Sequence, residues 1–423
     1  MSKEKVQPPS TWSVKPLYEI ADVIVSNVDK KSVPGEHPVR LCNYIDVYNN
    51  ENITPDLSFM EATASQAEIA KFRLRPGDVI ITKDSETPND IGVPSVVRAD
   101  VDQLVCGYHL SIIRLKSQDN DPVFLARQLN SPRIASYFGR QANGTTRYGL
   151  GIDSVGETEI WLATPEEQRR LALILDTADA AIAKTGVLID KLNKLKSGLL
   201  HDLLTRGIDD NGGLRPTHDV APELFKNSSI GRIPKGWSFG PIQELATNHD
   251  GERIPVRQSD RSSKPGPFPY YGASGVIDYI NDYIFDGNFV LLGEDGENLV
   301  SRELPLAFIA SGQFWVNNHA HVLKPLLTTD IRYLVEILEF QNYKGVIIGS
   351  AQPKLSQAGL NKLRFRIPPY NEQAEIAKRL NGIDKRIARE RLFIRKLTQV
   401  KAALSNELLT GKKPVLSKIT SKV

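Results

Sequence analysis

At 423 residues the chain has room for two or three domains, and 40% hydrophobic with 24% charged residues is the balance of a globular protein. No apolar run reaches the roughly 20 residues that cross a bilayer, and the N-terminus MSKEKVQPPS has no apolar signal-peptide core, so a cytoplasmic location is expected. Cys42 and Cys106 alone imply neither a disulfide framework nor a thiolate metal site, and a net charge of +3 is too small to indicate nucleic-acid binding by itself.

The first predicted region, 1–163, mixes short strands with turns; Gly77-Asp78-Val79-Ile80-Ile81 is a turn opening an apolar strand. A long helix is predicted over 164–207, opened by Thr164-Pro165-Glu166-Glu167, a capping residue and proline followed by acids in the first turn. Its apolar residues Leu171, Leu175, Ala178, Ile182, Ile189, Leu192, Leu199 and Leu203 advance in steps of four and three. That is a heptad seam, interrupted at Thr185 and Lys196. Residues 208–235 are rich in Gly, Pro and Asp and read as a linker. A second strand-rich domain is expected over 236–367 and a second long helix over 368–412, with a tail at 413–423 that has no periodicity.

The chain is a tandem repeat. Glu167 to Thr205 recurs without a gap as Glu372 to Thr410: Glu167-Gln168 falls on Glu372-Gln373, Asp179 on Asp384, Lys196 on Lys401, and Leu203-Leu204-Thr205 on Leu408-Leu409-Thr410. The second seam, Ile376, Leu380, Ile383, Ile387, Ile394, Leu397, Leu404 and Leu408, is interrupted at Glu390 and Lys401, opposite Thr185 and Lys196. Polar residues in a seam fix register, so shared interruptions point to two helices that pair with each other. The domains match only at landmarks: Trp12-Ser13 with Trp237-Ser238, Gly77 to Ile81 with Gly287 to Leu291, His109 with His319, and Gly144 to Tyr148 with Gly349 to Pro353. This plan alone leaves open a coiled-coil protein–protein adaptor without DNA binding.

Several motifs narrow it. Trp12-Ser13 with Pro16-Leu17, Ile233-Pro234-Lys235-Gly236-Trp237, Gly349-Ser350-Ala351-Gln352-Pro353-Lys354-Leu355 and Ile367-Pro368-Pro369-Tyr370-Asn371-Glu372-Gln373, with the two Glu-Gln…Asp…Leu-Leu-Thr helices, resemble the DNA-specificity subunit of type I restriction–modification systems. The first copy departs from one motif, reading Gly144-Thr145-Thr146-Arg147-Tyr148-Gly149-Leu150. The resemblance implies an α+β fold, two mixed α/β target-recognition domains separated by two long antiparallel coiled-coil helices in a pseudo-twofold tandem repeat. It implies that each domain reads one half of a bipartite, asymmetric site in double-stranded DNA, while the helices set the gap and dock two adenine methyltransferase (modification) subunits. Motor-nuclease (restriction) subunits could join. The resemblance implies no cofactor in this chain; S-adenosylmethionine, and ATP with Mg, would belong to the partners.

DNA contact calls for Lys or Arg at phosphates and Arg, Asn, Gln or Lys at base edges. The densest such loop of the first domain offers Arg140, Asn143, Thr145, Thr146, Arg147 and Tyr148; the matching stretch of the second offers Lys344, Ser350, Gln352 and Lys354. Lys83, Gln313 and Asn317 are further candidates. His109 and His319 read as satisfied strand-edge histidines, His319-Ala320-His321 lacks further ligands for a metal, and Glu294-Asp295-Gly296-Glu297 reads as a turn. Catalysis is not expected. Pro368-Pro369-Tyr370 looks like the end of an adenine methyltransferase motif, but Ile367 stands where Asn or Asp must accept a hydrogen bond, and there is no P-loop.

Overall fold

The computed structural model describes residues 7–349 and 351–412; Ser350 and the 413–423 tail lie outside them. Two compact units emerge, Met1–Gly186 with Phe393–Val423, and Val187–Leu392. Two helices, Pro165–Thr205 and Tyr370–Leu409, run through the unit boundaries. Each unit therefore combines one strand-rich domain, the first half of the helix that follows it, and the second half of the other helix. None of the described helices is long and apolar enough to cross a membrane.

In the first unit a five-stranded sheet runs in the order Ala21–Val25, Leu110–Leu115, Val79–Thr82, Pro94–Val97, Asn52–Ile53. A three-stranded sheet (Met60–Ala64, His37–Cys42, Leu104–Cys106) lies in the same domain. Val79–Thr82 is buried throughout, as a β-branched run in mid-sheet should be. The second unit has a six-stranded sheet, Ala246–Asn248, Ala320–Pro325, Phe285–Gly293, Ala307–Val316, Pro265–Gly272, Gly275–Ile280. Its first four strands occur in the same spatial order as the first four of the other sheet, although little sequence is shared.

Each domain is closed by pairing its first strand with its last. Ser13–Pro16 lies antiparallel to Glu159–Leu162, and Ser238–Gly240 to Phe365–Ile367. Both ends of the domain are thus delivered to the first turn of the following helix, where the repeated Glu-Gln acts. Trp12 Nε1 donates to Glu167 Oε2 at 3.2 Å, and Trp237 Nε1 to Glu372 Oε2 at 2.9 Å. A buried indole N–H needs such a partner. Gln168 is 2% exposed and Gln373 1%. Gln168 Nε2 donates to Ala163 O at 2.9 Å while its Oε1 accepts from the Asp121 N–H at 2.9 Å. Gln373 Nε2 donates to Pro368 O at 2.9 Å, and its Oε1 accepts from the Asp330 N–H at 3.0 Å. Asp121 and Asp330 in turn cap the helices Pro122–Leu129 and Ile331–Phe340. One buried amide in each unit therefore joins sheet, capped helix and long helix.

Within each unit the two long-helix segments pack antiparallel. In the first, Leu171, Ala172 and Leu175 share a core with Leu404, Leu408 and Leu409, and the Lys401 ammonium meets Asp179. In the second, Leu203 and Leu204 share a core with Ile376, Ala377 and Leu380, and Lys196 meets Asp384 at 2.7 Å. These are the same pair, because Asp179 aligns with Asp384 and Lys196 with Lys401. The lysines that interrupt the seams are register pins. Their surroundings differ. Arg127, on the capped helix of the first unit, joins Asp179 and reaches Glu51 at 2.7 Å. The matching place in the second unit is held by Glu336. There burial pushes the Glu336 carboxyl from an ordinary 4.5 up to about 7; Lys196 opposes the rise, while Asp384 and Glu339 add to it.

That carboxyl costs stability at high pH. Below about 4.5 it is protonated in both folded and unfolded chains and costs nothing; as pH rises toward 7 only the unfolded chain releases its proton, and stability falls. Glu336→Gln is expected to stabilise the protein by on the order of 2–3 kcal/mol at pH 8 and by almost nothing near pH 4.5, measured by urea unfolding at both pH values.

Candidate nucleic-acid interface

The matched landmarks of each domain converge at the end of one strand. In the first domain the Lys83 N–H donates to His109 O at 3.0 Å, and Lys83 O accepts from the Leu150 N–H at 2.9 Å. In the second, the Glu294 N–H donates to His319 O at 2.8 Å, and Glu294 O accepts from the Leu355 N–H at 2.7 Å. The next residue is an aspartate in both. Asp84 Oδ2 lies 2.7 Å from His109 Nδ1, and Asp295 Oδ2 lies 2.6 Å from His319 Nδ1. One three-way junction of strand end, histidine and loop is therefore built twice.

The loop that enters it is anchored alike at its base in both domains despite its different sequence. Asn143 and Gly149 exchange both backbone hydrogen bonds, at 3.0 and 2.9 Å; their counterparts Ile348 and Lys354 are paired in a short antiparallel ladder. Gly144 has φ +144°, and a Cβ there would run into Arg147 O; Gly349 has φ +82°, and a Cβ would stand 2.6 Å from Gln352 O. Only glycine turns the chain at this place without strain.

The candidate contacts fall into three groups. Thr145, Thr146 and Arg147 form the exposed tip of the first loop, and Gln352 is exposed on the tip of the second. Asn143 (Nδ2 to Gln141 O, 3.0 Å) and Tyr148, packed on the first core, hold the loop base. Lys83 stands 3.9 Å from Asp84, so sequence-distant Lys83, Asn143 and Tyr148 do come together. Arg140 lies on the preceding helix Pro132–Gln141 and bonds Ser136 Oγ at 3.0 Å. In the second domain Lys354 reaches Glu294 at 3.1 Å, beside the Asp295–His319 pair. Lys344 is exposed next to the buried Tyr343.

Gln313 and Asn317 are placed otherwise than free reading groups would be. Gln313 Nε2 is taken up by Asp286 Oδ2 at 3.1 Å across the strand pair. Asn317 is 7% exposed, and its Oδ1 accepts from the His319 N–H at 2.8 Å, a turn-forming role. Ser350 lies outside the described residues. His321 is fully buried, with Nδ1 2.6 Å from Asp250 and Nε2 2.8 Å from Leu355 O, so both nitrogens of the second histidine in His319-Ala320-His321 are committed to the core.

Comparison with known proteins gives this arrangement its setting. Residues 234–399 match the model of the type I restriction modification DNA specificity domain. The protein named "Putative type I restriction enzyme MjaX specificity subunit" from Methanocaldococcus jannaschii is 25% identical over 418 residues, covering 96% of this chain and 94% of its own. A second protein of that organism, the type I restriction enzyme MjaVIII specificity subunit, is 24% identical over 62% of this chain and 65% of its own. The crystal structure of the S subunit of a type I restriction–modification system from M. genitalium matches 99% of both chains with a TM-score of 0.58 at 15% identity, a likeness of fold. Over nearly its whole length the chain is thus similar to a type I restriction enzyme specificity subunit, and residues 234–399 match the DNA specificity domain.

The Asp–His pair is what sequence reasoning misses. The histidines stand out as landmarks in the sequence, but Asp295 reads there as part of a turn, and each aspartate lies about 25 residues from its histidine. The signal available was the acid directly after each matched strand. The twin loops make a direct prediction. Gly144→Ala and Gly349→Ala should each strain their loop by about 1–3 kcal/mol. Amide hydrogen exchange at Gly149, or at Lys354, should accelerate accordingly; unchanged protection would show that the left-handed turn is not needed.

Proposed function

We propose that this chain is the DNA-specificity subunit of a type I restriction–modification complex, each domain reading one half of a bipartite, asymmetric site. The observation that carries the proposal is the twice-built junction with unlike tips. The frame of Asp–His pair, glycine turn and strand end is common to both domains, whereas Thr145, Thr146 and Arg147 occupy one tip and Ala351 and Gln352 the other. Like frames with unlike side chains suit the reading of two different half-sites, as symmetric dimers suit palindromes. Two sites of contact joined by stiff helices gain affinity through effective concentration only where the half-sites match the span.

On this reading the chain supplies recognition, and chemistry belongs to partners. Two adenine methyltransferase subunits would bring S-adenosylmethionine, and motor-nuclease subunits would bring ATP and Mg. Support for docking comes from large apolar side chains left exposed along the long helices: Leu173, Val187 and Leu195 on one, Leu392, Phe393 and Val400 on the other. Such exposure on a helix already paired along its seam suits a protein interface.

The test is to map N6-methyladenine in host DNA that carries the modification subunits, with and without this gene. The expected result is one bipartite methylated motif that disappears with the gene. A methylation pattern indifferent to the gene would contradict the proposal.

A further inference from the structure

In the second unit a cleft of about 440 Å³ opens beside the Asp295–His319 pair, lined in part by Arg257, Gln258, Arg261, Tyr270, Asn318 and His319. One wall is the segment 253–262, and it is fastened firmly. Arg253 Nη1 donates to Glu294 Oε2 at 2.6 Å and to Ala320 O at 2.7 Å. Trp315 Nε1 donates to Ile254 O at 2.6 Å, and the Val256 N–H donates to Tyr270 Oη at 3.0 Å. Arg261 Nη1 donates to Val256 O at 2.6 Å, and its Nε to Asp278 Oδ2 at 2.8 Å. Its guanidinium also lies over the Tyr270 ring, 4.7 Å from the centroid.

Two of the three arginines spaced four apart are thus neutralised by carboxylates; the third is not. Arg257 and Gln258 are exposed, and so is Asn318 across the cleft. Among the described residues none of these three side chains has a hydrogen-bond or ion-pair partner. A free arginine on a loose loop is ordinary. Here the backbone that carries it is held on both sides, so little order would be lost on binding. The nearby carboxylates Glu294, Asp295 and Asp278 are already engaged by Arg253 and Lys354, His319 and Arg261, which lessens their repulsion of an incoming polyanion.

Arg, Asn and Gln are the side chains that make paired hydrogen bonds to purine edges. We propose that Arg257, Gln258 and Asn318 form the base-reading group of the second domain, taking a purine edge in a groove of double-stranded DNA. The inference rests on the specificity reading above and assigns its second half to named residues. The first domain supports it by contrast: the residue before its matched histidine is Tyr108, whose ring lies 3.7 Å from that of His109, where the second domain has Asn318. The frame is shared, and the side chain beside it changes.

The experiment expresses the full chain with its modification subunits and maps methylated motifs for the wild type and for Arg257→Ala, Arg257→Lys, Gln258→Ala and Asn318→Ala. All four variants should lose about tenfold or more discrimination at positions within one half of the motif, the same half in every case, with the other half and the gap unchanged. Arg257→Lys belongs with the losses because it keeps the charge but not the paired donors. Both halves read as in the wild type would overturn the inference, and so would equal weakening of both halves at an unchanged melting temperature. A wild type that yields no bipartite motif would instead overturn the specificity reading itself.

Discussion

A buried glutamine in the first turn of each long helix fixes how domain and helix meet, and most of the molecule depends on that joint. A side-chain amide can donate and accept at once. Gln168 and Gln373 use both capacities to tie the strand leaving the domain to the capped helix that flanks the sheet. Leaving either set of partners unsatisfied in a buried setting would cost about 1–3 kcal/mol per group. With the Trp–Glu bond beside it, the joint leaves the domain little freedom to slide along its helix. The position of each domain on the first turn of its helix is then set by chemistry rather than by linker length.

The lysines in the helix seams add the second constraint. A lysine among leucines is a loss unless it finds a carboxylate, and each finds one only in a single antiparallel register. The two pins are identical by descent within the chain, yet they sit in unlike company. Arg127 and Glu51 surround one, while Glu336 adds a further carboxylate beside the other. The register is symmetric; the charge around it is not. Divergence in the domains has therefore reached the helix joints as well as the loops.

Much of this was legible in the sequence, and the reasons are specific. The Glu-Gln pairs and seam lysines recur without a gap because helix geometry tolerates no insertion between a joint and a pin. The twin loops were legible through Gly144 and Gly349, whose backbone conformation other residues adopt only with strain. Departure of the first loop from its motif left its fold intact because the turn depends on the glycine and not on the residues at the tip. Other features were hidden. Gln313 and Asn317 looked like available amides, but Asp286 and the His319 turn consume them, and such partners come from tertiary structure. The segment bearing Arg257 was not matched to anything in the first copy, and Pro255 interrupts any helical pattern there, so comparing the repeats could not single it out.

On the proposed reading, the long helices set the unread gap between the half-sites that the two domains recognise. Because the helices pair in register, lengthening one alone would break a Lys–Asp pin; both must grow together. The direct measurement inserts one heptad after Gly186 and one after Leu392, where the helices cross the unit boundary, and maps the methylated motif. Seven residues add about 10 Å of helix, roughly three base-pair steps. The account predicts an unread gap longer by about three base pairs between unchanged half-sites. Altered half-sites with an unchanged gap would contradict it.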